Sequence, residues 1–139
     1  MQRAITIHSF EHACAALEAA VELSAPVLLV SAPDAGLQSG PAWFASVIGQ
    51  AVESVPGAPA LQLVTLLDCS DKPGCVLAAL RHGVKRICFT GPETTRRKLL
   101  NIAESYEATV LAERPEALEL LGQANPDDAC RVWLTAGRD

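Results

Sequence analysis

Aromatic residues, charged residues and long apolar runs are all scarce in this sequence of 139 residues. Aromatic side chains make up 4% of it and charged side chains 19%, although half of the residues are apolar. No apolar run approaches the roughly 18 residues of a membrane-spanning helix, and the amino terminus lacks the apolar stretch of a signal peptide. This composition excludes disordered, collagen-like and coiled-coil chains, and it predicts one globular domain, residues 1–139, in the cytoplasm.

Positive charge is also limited. The formal net charge is -5, and the one basic cluster is Arg96, Arg97 and Lys98. On a helix these three side chains point in different directions, and acidic residues lie nearby, so the cluster is typical of a solvated face. Because nucleic-acid binding needs concentrated Lys and Arg to neutralise phosphates, no nucleic-acid partner is expected.

The cysteines do not form a disulfide pattern. There are five of them, an odd number, and they are scattered through segments of regular hydrophobic periodicity: Cys14, Cys69, Cys75, Cys88 and Cys130. This distribution favours reduced thiols that are mostly buried as small apolar groups.

Short apolar runs alternate with longer amphipathic stretches, which is the pattern of βα units. The runs are apolar throughout rather than on alternate residues, as in strands that are covered on both faces of a parallel sheet. The predicted strands are Ala4–His8, Pro26–Ser31, Leu61–Asp68, Arg86–Thr90 and Thr109–Ala112.

Amphipathic spacing predicts five helices between and after these strands. Four prolines stand where a first helical residue is expected, because a helix start does not need the missing amide hydrogen; they are Pro41, Pro73, Pro92 and Pro115. The fifth predicted helix contains Leu118 and Leu121 and ends before Gly122. The tail Ala129–Thr135 is predicted to add an edge strand or to dock on a second subunit.

The predicted fold class is therefore α/β: a three-layer, doubly wound sheet of five parallel strands in the flavodoxin-like order 2-1-3-4-5. A half-barrel of βα units is the alternative, since one sequence does not determine strand order.

Small polar residues follow the predicted strands directly. All carboxyl ends of a parallel sheet lie along one edge, where ligands bind, so these residues are the predicted ligand-binding set: Ser31, Asp34, Asp68, Ser70, Lys72, Thr90 and Gly91. The alternative is that Ser, Thr and Asp here only cap helices. The segment from Asp34 to Gly40 is either a lid over the site or a fixed surface loop.

The densest group of reactive side chains is the eight-residue segment 68–75, Asp-Cys-Ser-Asp-Lys-Pro-Gly-Cys. Asp68 is a candidate to bind a cation or accept a phosphoryl group, Cys69 is a candidate nucleophile, and Asp71 is the third candidate catalytic residue. The structural alternative is that Asp71 caps a helix, Asp68 orders the turn and Cys69 is inert.

Other chemistries have weaker support. The separation of Cys69 from Cys75 departs from zinc-ligand spacing, and no glycine-rich nucleotide motif or nucleophile elbow is present, so no metal and no cofactor are predicted. A Ser-His-Asp system would need Ser31 or Ser70, His8 or His12, and Asp68 to converge; His8 is interpreted as a packed or hydrogen-bonded histidine. A small phosphate or carboxylate group is a possible ligand, with Lys72 and Arg114 close to the site.

Two resemblances add to these predictions. The segments 31–36, 41–44, 68–74 and 78–81 together resemble a small bacterial α/β family without an assigned activity. The alternation of elements, with Asp68 and Thr90 after the third and fourth strands, is similar to response-regulator receiver domains, which implies a receiver-like architecture. Receivers carry an acidic pair after strand one and a lysine after strand five, and this chain has neither.

Three functions are consistent with the sequence. The first is binding of a small metabolite or anion at the carboxyl edge of the sheet. The second is a non-catalytic regulatory or interaction module that pairs through a helix or the Trp133 tail. The third is a cysteine-dependent enzyme that uses Cys69. A homodimer without membrane contact is the expected assembly.

Overall fold

A computed structural model describes residues 3–33 and 40–136. The described residues form six strands: β1 Arg3–Ile7, β2 Val27–Ser31, β3 Leu63–Asp68, β4 Arg86–Cys88, β5 Thr109–Leu111 and β6 Ala117–Glu119. The same residues form five α-helices: α1 Phe10–Leu23, α2 Pro41–Ser54, α3 Pro73–Arg81, α4 Glu93–Glu104 and α5 Pro126–Ala136. A short 3₁₀ helix covers Ala58–Ala60.

The strands form a parallel sheet in an α/β fold, which confirms the predicted class. Pairing is parallel between β1 and β6, between β3 and β4, and between β4 and β5. The sheet has six strands in the order β5-β4-β3-β2-β1-β6. The predicted five strands and the order 2-1-3-4-5 are therefore wrong, because β2 and not β1 lies beside β3. The sequential order of β1 to β5 is the one that the alternative of consecutive βα units predicts.

The segment predicted as the fifth helix is a strand instead. Ala117, Leu118 and Glu119 pair with Ala4, Ile5 and Thr6 of β1, so Pro115 does not begin a helix. Leu121 is 66% exposed and contributes to no buried stripe. Two leucines three residues apart suit either structure, and the backbone hydrogen bonds of β1 decide the outcome.

The carboxyl-terminal tail is a helix rather than an edge strand. Asn125 precedes it and accepts a hydrogen bond from the amide of Asp128 at 3.1 Å, while its own side-chain amide donates to the Asp128 carboxylate at 2.9 Å. Pro126 is the first helical residue and Asp127 lies in the first turn. Residues 125–128 are thus a helix start, with a capping side chain, a proline and acidic residues in the positions that stabilise one.

The chain divides into two compact units, each assembled from separate segments. The first comprises the described residues within 1–30, 46–65 and 116–139, and the second those within 31–45 and 66–115. In the first unit, four consecutive residues of β1 are buried, so both faces of the strand are covered. Helix α1 contributes small buried side chains, among them Ala13, Ala16 and Ala20.

Trp133 of α5 is half-buried and contacts β1 within the first unit. Its indole Nε1 donates to the carbonyl oxygen of Ala4 at 2.9 Å, and the guanidinium carbon of Arg3 lies 3.9 Å from the ring centroid. A cation over an indole face is an attractive arrangement. The predicted docking of the Trp133 tail on a second subunit is therefore not needed to explain this side chain.

The second unit packs Leu66, Leu67, Ile87 and Phe89 into a core in which each is at most 1% exposed. Phe89 lies against Gly91, and a Cβ atom built on Gly91 would overlap the Phe89 ring. Gly91 is therefore required by packing, not by an unusual backbone angle.

Replacement of this glycine tests the packing. We expect Gly91→Ala to lower the free energy of unfolding by about 1–3 kcal/mol, because overpacking forces the aromatic ring or the backbone to move. The matched control is Gly74→Ala in α3, where a Cβ would meet nothing within 4 Å, and the better helix propensity of Ala gives a neutral or stabilising change. Urea unfolding measures both, and equal effects would contradict the packing role of Gly91.

Candidate functional site

The candidate site lies in the second unit, where β2, β3, β4 and β5 end. Ser31 and Asp68 are the last residues of β2 and β3, and Asp68 is in register with Cys88 at the end of β4. Arg114 follows β5 by three residues. The parallel strands thus bring residues that are distant in sequence to one edge, as predicted.

An ion pair between Asp68 and Arg114 is the centre of this edge. Nη1 of Arg114 lies 2.7 Å from Oδ2 of Asp68 and also donates to the carbonyl oxygen of Ser31 at 2.8 Å. The Asp68 side chain is 4% exposed, and that of Arg114 is 23% exposed. The carboxylate is therefore enclosed within the chain, while the Arg114 side chain is partly exposed.

The remaining polar atoms of Asp68 and Ser31 also have partners. Oδ1 of Asp68 accepts a hydrogen bond from the amide of Ser70 at 2.7 Å. The Ser31 hydroxyl oxygen accepts from the amide of Asp68 at 2.9 Å, and the hydroxyl donates to the Ala32 carbonyl at 3.1 Å. Ser31 and Asp68 were predicted as ligand contacts, but the structure uses them to position Arg114 and the turn after β3.

Four other predicted site residues lie closer to solvent. Ser70 has a left-handed backbone, with φ of 52°, and its carbonyl accepts from the amide of Thr90 at 2.8 Å. Thr90 is exposed and Ser70 is half-buried. Nζ of Lys72 lies 3.2 Å from Asp71, and both side chains are at least half exposed. Asp34, also predicted, lies outside the described residues.

The thiol of Cys69 is placed unfavourably for nucleophilic chemistry. The residue is fully buried. A side-chain hydrogen bond with Cys75 raises the pKa of Cys69 far above its usual range, and burial and the charge of Asp68 raise it further. A reactive cysteine needs an accessible thiolate, so the structure argues against Cys69 as a nucleophile.

Burial also makes the thiols of other cysteines less acidic. Burial raises the pKa of Cys88 to about 11 and that of Cys130 to about 12. All five cysteines are free, and Cys14 is the one among them that is not fully buried. Within residues 3–33 and 40–136, no group of three or more His, Cys, Asp or Glu side chains is arranged to hold a metal ion.

The side chains that a Ser-His-Asp system would need have other partners. Nε2 of His8 lies 2.6 Å from Oε1 of Glu119, and Asp68 is engaged by Arg114. The sequence analysis named Arg114 only as a nearby cation and missed its role as the partner of Asp68. Its separation of 46 residues from Asp68 offers no local signal for that pairing.

Removal of the Asp68 charge tests the ion pair. We expect Asp68→Asn to destabilise the protein by about 2–3 kcal/mol, because the partly buried Arg114 side chain loses this carboxylate partner. The control Asp71→Asn removes an exposed pair with Lys72 and should change stability by less than about 0.5–1 kcal/mol. Thermal and urea unfolding of the two variants provide the comparison, and a smaller loss for Asp68→Asn than for Asp71→Asn would contradict the account.

Thiol labelling tests the burial of the cysteines. In native protein we expect a chromogenic disulfide reagent to modify Cys14 first and Cys69 only on unfolding. Burial raises the pKa of Cys14, with further raising by Glu18 and Glu11, so its labelling should accelerate as the pH rises towards and above about 9. Cys14→Ser should remove the fast phase and Cys69→Ser should keep it; fast native labelling of Cys69 would contradict this geometry.

Comparison with known proteins shows the fold and no family. No family model matches the chain, and no curated protein is similar to it. One similar solved structure is described as a "putative fructose-1,6-biphosphate aldolase from Coccidioides immitis"; it superposes with a TM-score of 0.63 at 14% identity over 78% of this chain. The present chain spans only 39% of that protein. The likeness therefore shows an α/β fold in common and nothing about activity.

Proposed function

We propose that the second unit binds the oxyanion of a small metabolite, a phosphate or a carboxylate, at the edge where β2 to β5 end. The observation that carries this proposal is the unequal exposure of the central ion pair, 23% for Arg114 against 4% for Asp68. Because the carboxylate is enclosed, the more exposed side chain of the pair is the cationic one. A guanidinium held by a carboxylate and a backbone carbonyl is well suited to bind a planar or tetrahedral oxyanion.

The start of α3 supports the same ligand class. Lys72 is its N-cap, no side chain caps it, and its first turn has no acidic residue. The first turn of α4 instead contains Glu93, which forms ion pairs with Arg96 and Arg97. The positive end of the α3 dipole is thus left for an external anion, whereas that of α4 has its own carboxylate.

The remaining contacts come from side chains that the sequence analysis selected. We assign oxyanion binding to Ser70, Lys72, Thr90 and Arg114, with Gly91 shaping the edge through its contact with Phe89. Hydroxyl groups and an ammonium group supply directional donors beside a fixed guanidinium. Asp68 and Ser31 serve as positioning residues, and the proposed role of Asp34 stays a prediction.

A reducing compartment fits the cysteines, and we propose a cytoplasmic location. All five are free, as is usual where thiols are kept reduced. In the described part of the chain, no helix has the length and apolarity to cross a membrane. A homodimer stays a prediction.

Titration with inorganic phosphate, followed by amide nuclear magnetic resonance, tests the proposal. We expect saturable shifts at Ser70, Thr90 and the first turn of α3, and none with sodium chloride at equal ionic strength. Lys72→Met should weaken the apparent affinity by about 3–10-fold, since a charge-assisted hydrogen bond at a half-exposed site contributes about 1 kcal/mol.

The matched control is Arg97→Met, which removes another cation, 76% exposed, from α4. Its phosphate affinity should equal that of the unmodified protein. Equal weakening by both variants, or shifts that chloride reproduces, would show a general charge effect and overturn the proposed site. A parallel titration with acetate distinguishes a carboxylate ligand from a phosphate ligand.

A further inference from the structure

Two histidines and a glutamate meet at the ends of β1 and β6, in the first unit. The strands are parallel neighbours, with Thr6 in register with Glu119, and His8 follows β1 directly. The chain leaves β1 towards β2 on one side, while β6 lies on the other side. A reversal of strand order of this kind opens the crevice that ligands occupy in parallel sheets.

Glu119 fixes the ring of His8. Nε2 of His8 lies 2.6 Å from Oε1 of Glu119, and the same oxygen accepts a hydrogen bond from the amide of Leu121 at 2.8 Å. Because a carboxylate accepts, Nε2 carries the proton and Nδ1 of the neutral ring is the acceptor. The side chain of His8 is 24% exposed, so part of the ring is accessible to a small molecule.

The hydrogen bonds of His12 also determine which of its ring nitrogens carries the proton. Its Nδ1 accepts the backbone amide of His8 at 3.1 Å, so Nε2 carries the proton of the neutral ring. Ser9 caps α1 and accepts the amide of His12 at 3.2 Å, which places the imidazole in the first turn. Burial lowers the pKa of His12, and the charge of His8 lowers it further, against the raising effects of Glu119 and Glu11.

The two neighbouring rings thus offer a proton acceptor on His8 and a hydrogen-bond donor on His12. Their centroids are 5.6 Å apart at an interplanar angle of 86°, close enough for one small substrate to touch both. The neutral His8 ring presents a basic nitrogen, and the neutral His12 ring presents an N–H donor. A base beside a neutral imidazole donor is an arrangement that serves proton abstraction next to a carbonyl group.

We propose that His8 and His12 form an acid–base pair that enolises a small carbonyl compound, with Glu119 as the positioning residue. Nδ1 of His8 takes a proton from the carbon beside the carbonyl, and the C–H electron pair forms the carbon–carbon double bond. The carbonyl π electrons move to oxygen, and this enolate oxygen accepts a hydrogen bond from Nε2 of His12. Return of the proton from His8 to carbon restores the enzyme, so no redox partner is required.

Hydrogen–deuterium exchange in heavy water tests the pair without a known physiological substrate. The probes are dihydroxyacetone, hydroxyacetone and pyruvate, followed by proton nuclear magnetic resonance at pH 7.5. We expect the unmodified protein to accelerate exchange of at least one probe by about 100-fold or more over buffer. His8→Asn and His12→Asn should each reduce that acceleration by at least about 10-fold.

His82→Asn is the matched control, because His82 is the third histidine and is exposed after α3. The exchange rate of this variant should equal that of the unmodified protein.

Glu119→Gln tests the positioning residue. It should lower the rate by about 10-fold and shift the acidic limb of the pH–rate profile, a change that a purely structural contact would not produce. The rate should fall at acidic pH, because a protonated imidazole cannot accept a proton from the substrate.

Nitrogen-15 spectra of the imidazoles give a readout that is independent of turnover and of variant folding. The neutral form of each ring should carry its proton on Nε2. A proton on Nδ1 of His12 would overturn the proposal, and so would exchange of all three probes at the buffer rate. The phosphate titration of the second unit uses other residues, so either proposal can fail alone.

Discussion

The buried carboxylate of Asp68 imposes the constraint on which the second unit depends. A charge that is almost fully removed from water is tolerated only when each of its oxygens has a partner. The Arg114 guanidinium and the Ser70 amide provide those partners, and the Ser31 hydroxyl holds the backbone of Asp68 in place. One carboxylate thereby connects the ends of β2 and β3 with the segment after β5.

In each unit, a carboxylate at the end of a strand orients a basic side chain that is distant in sequence. In the second, Asp68 orients the guanidinium of Arg114, and in the first, Glu119 orients the imidazole of His8. Each carboxylate is the last residue of a short strand, and each partner is far away in sequence. Arg114 cannot release its proton, so it is suited to holding an anion, whereas His8 is suited to moving a proton. The chemistry proposed for each site follows from this difference.

The parts of the fold that sequence could predict are those with strong local signals. Continuous apolar runs located β1 to β5, and prolines located the starts of α2 and α3, because these signals act within a few residues. The segment around Leu118 and Leu121 was predicted as a helix because the spacing of these two leucines carries no information about pairing with Ala4 to Thr6. The prediction of strand order was wrong for a similar reason. Strand order depends on long-range hydrogen bonds, and the hydrophobic periodicity of a segment does not indicate them.

In the candidate site too, sequence predicted the local positions of residues but not their long-range contacts. Asp68, Ser70, Lys72 and Thr90 lie at the strand ends or in the segments that follow them, but Asp68 and Cys69 are buried. A side chain at a strand end can face a ligand or an arginine 46 residues away, and only the packed structure distinguishes the two. His8 was interpreted as a hydrogen-bonded histidine, and its contact with Glu119 was absent from any local pattern.

A double-mutant cycle on Asp68 and Arg114 tests the central claim most directly. Asp68→Asn, Arg114→Met and the double variant are compared by urea unfolding at constant pH. Mutual support between the two side chains predicts a coupling free energy of about 1–3 kcal/mol, with the double variant more stable than the sum of the single losses implies. Additivity within about 0.5 kcal/mol would mean that the carboxylate does not hold the guanidinium, and the proposed oxyanion site would lose its basis.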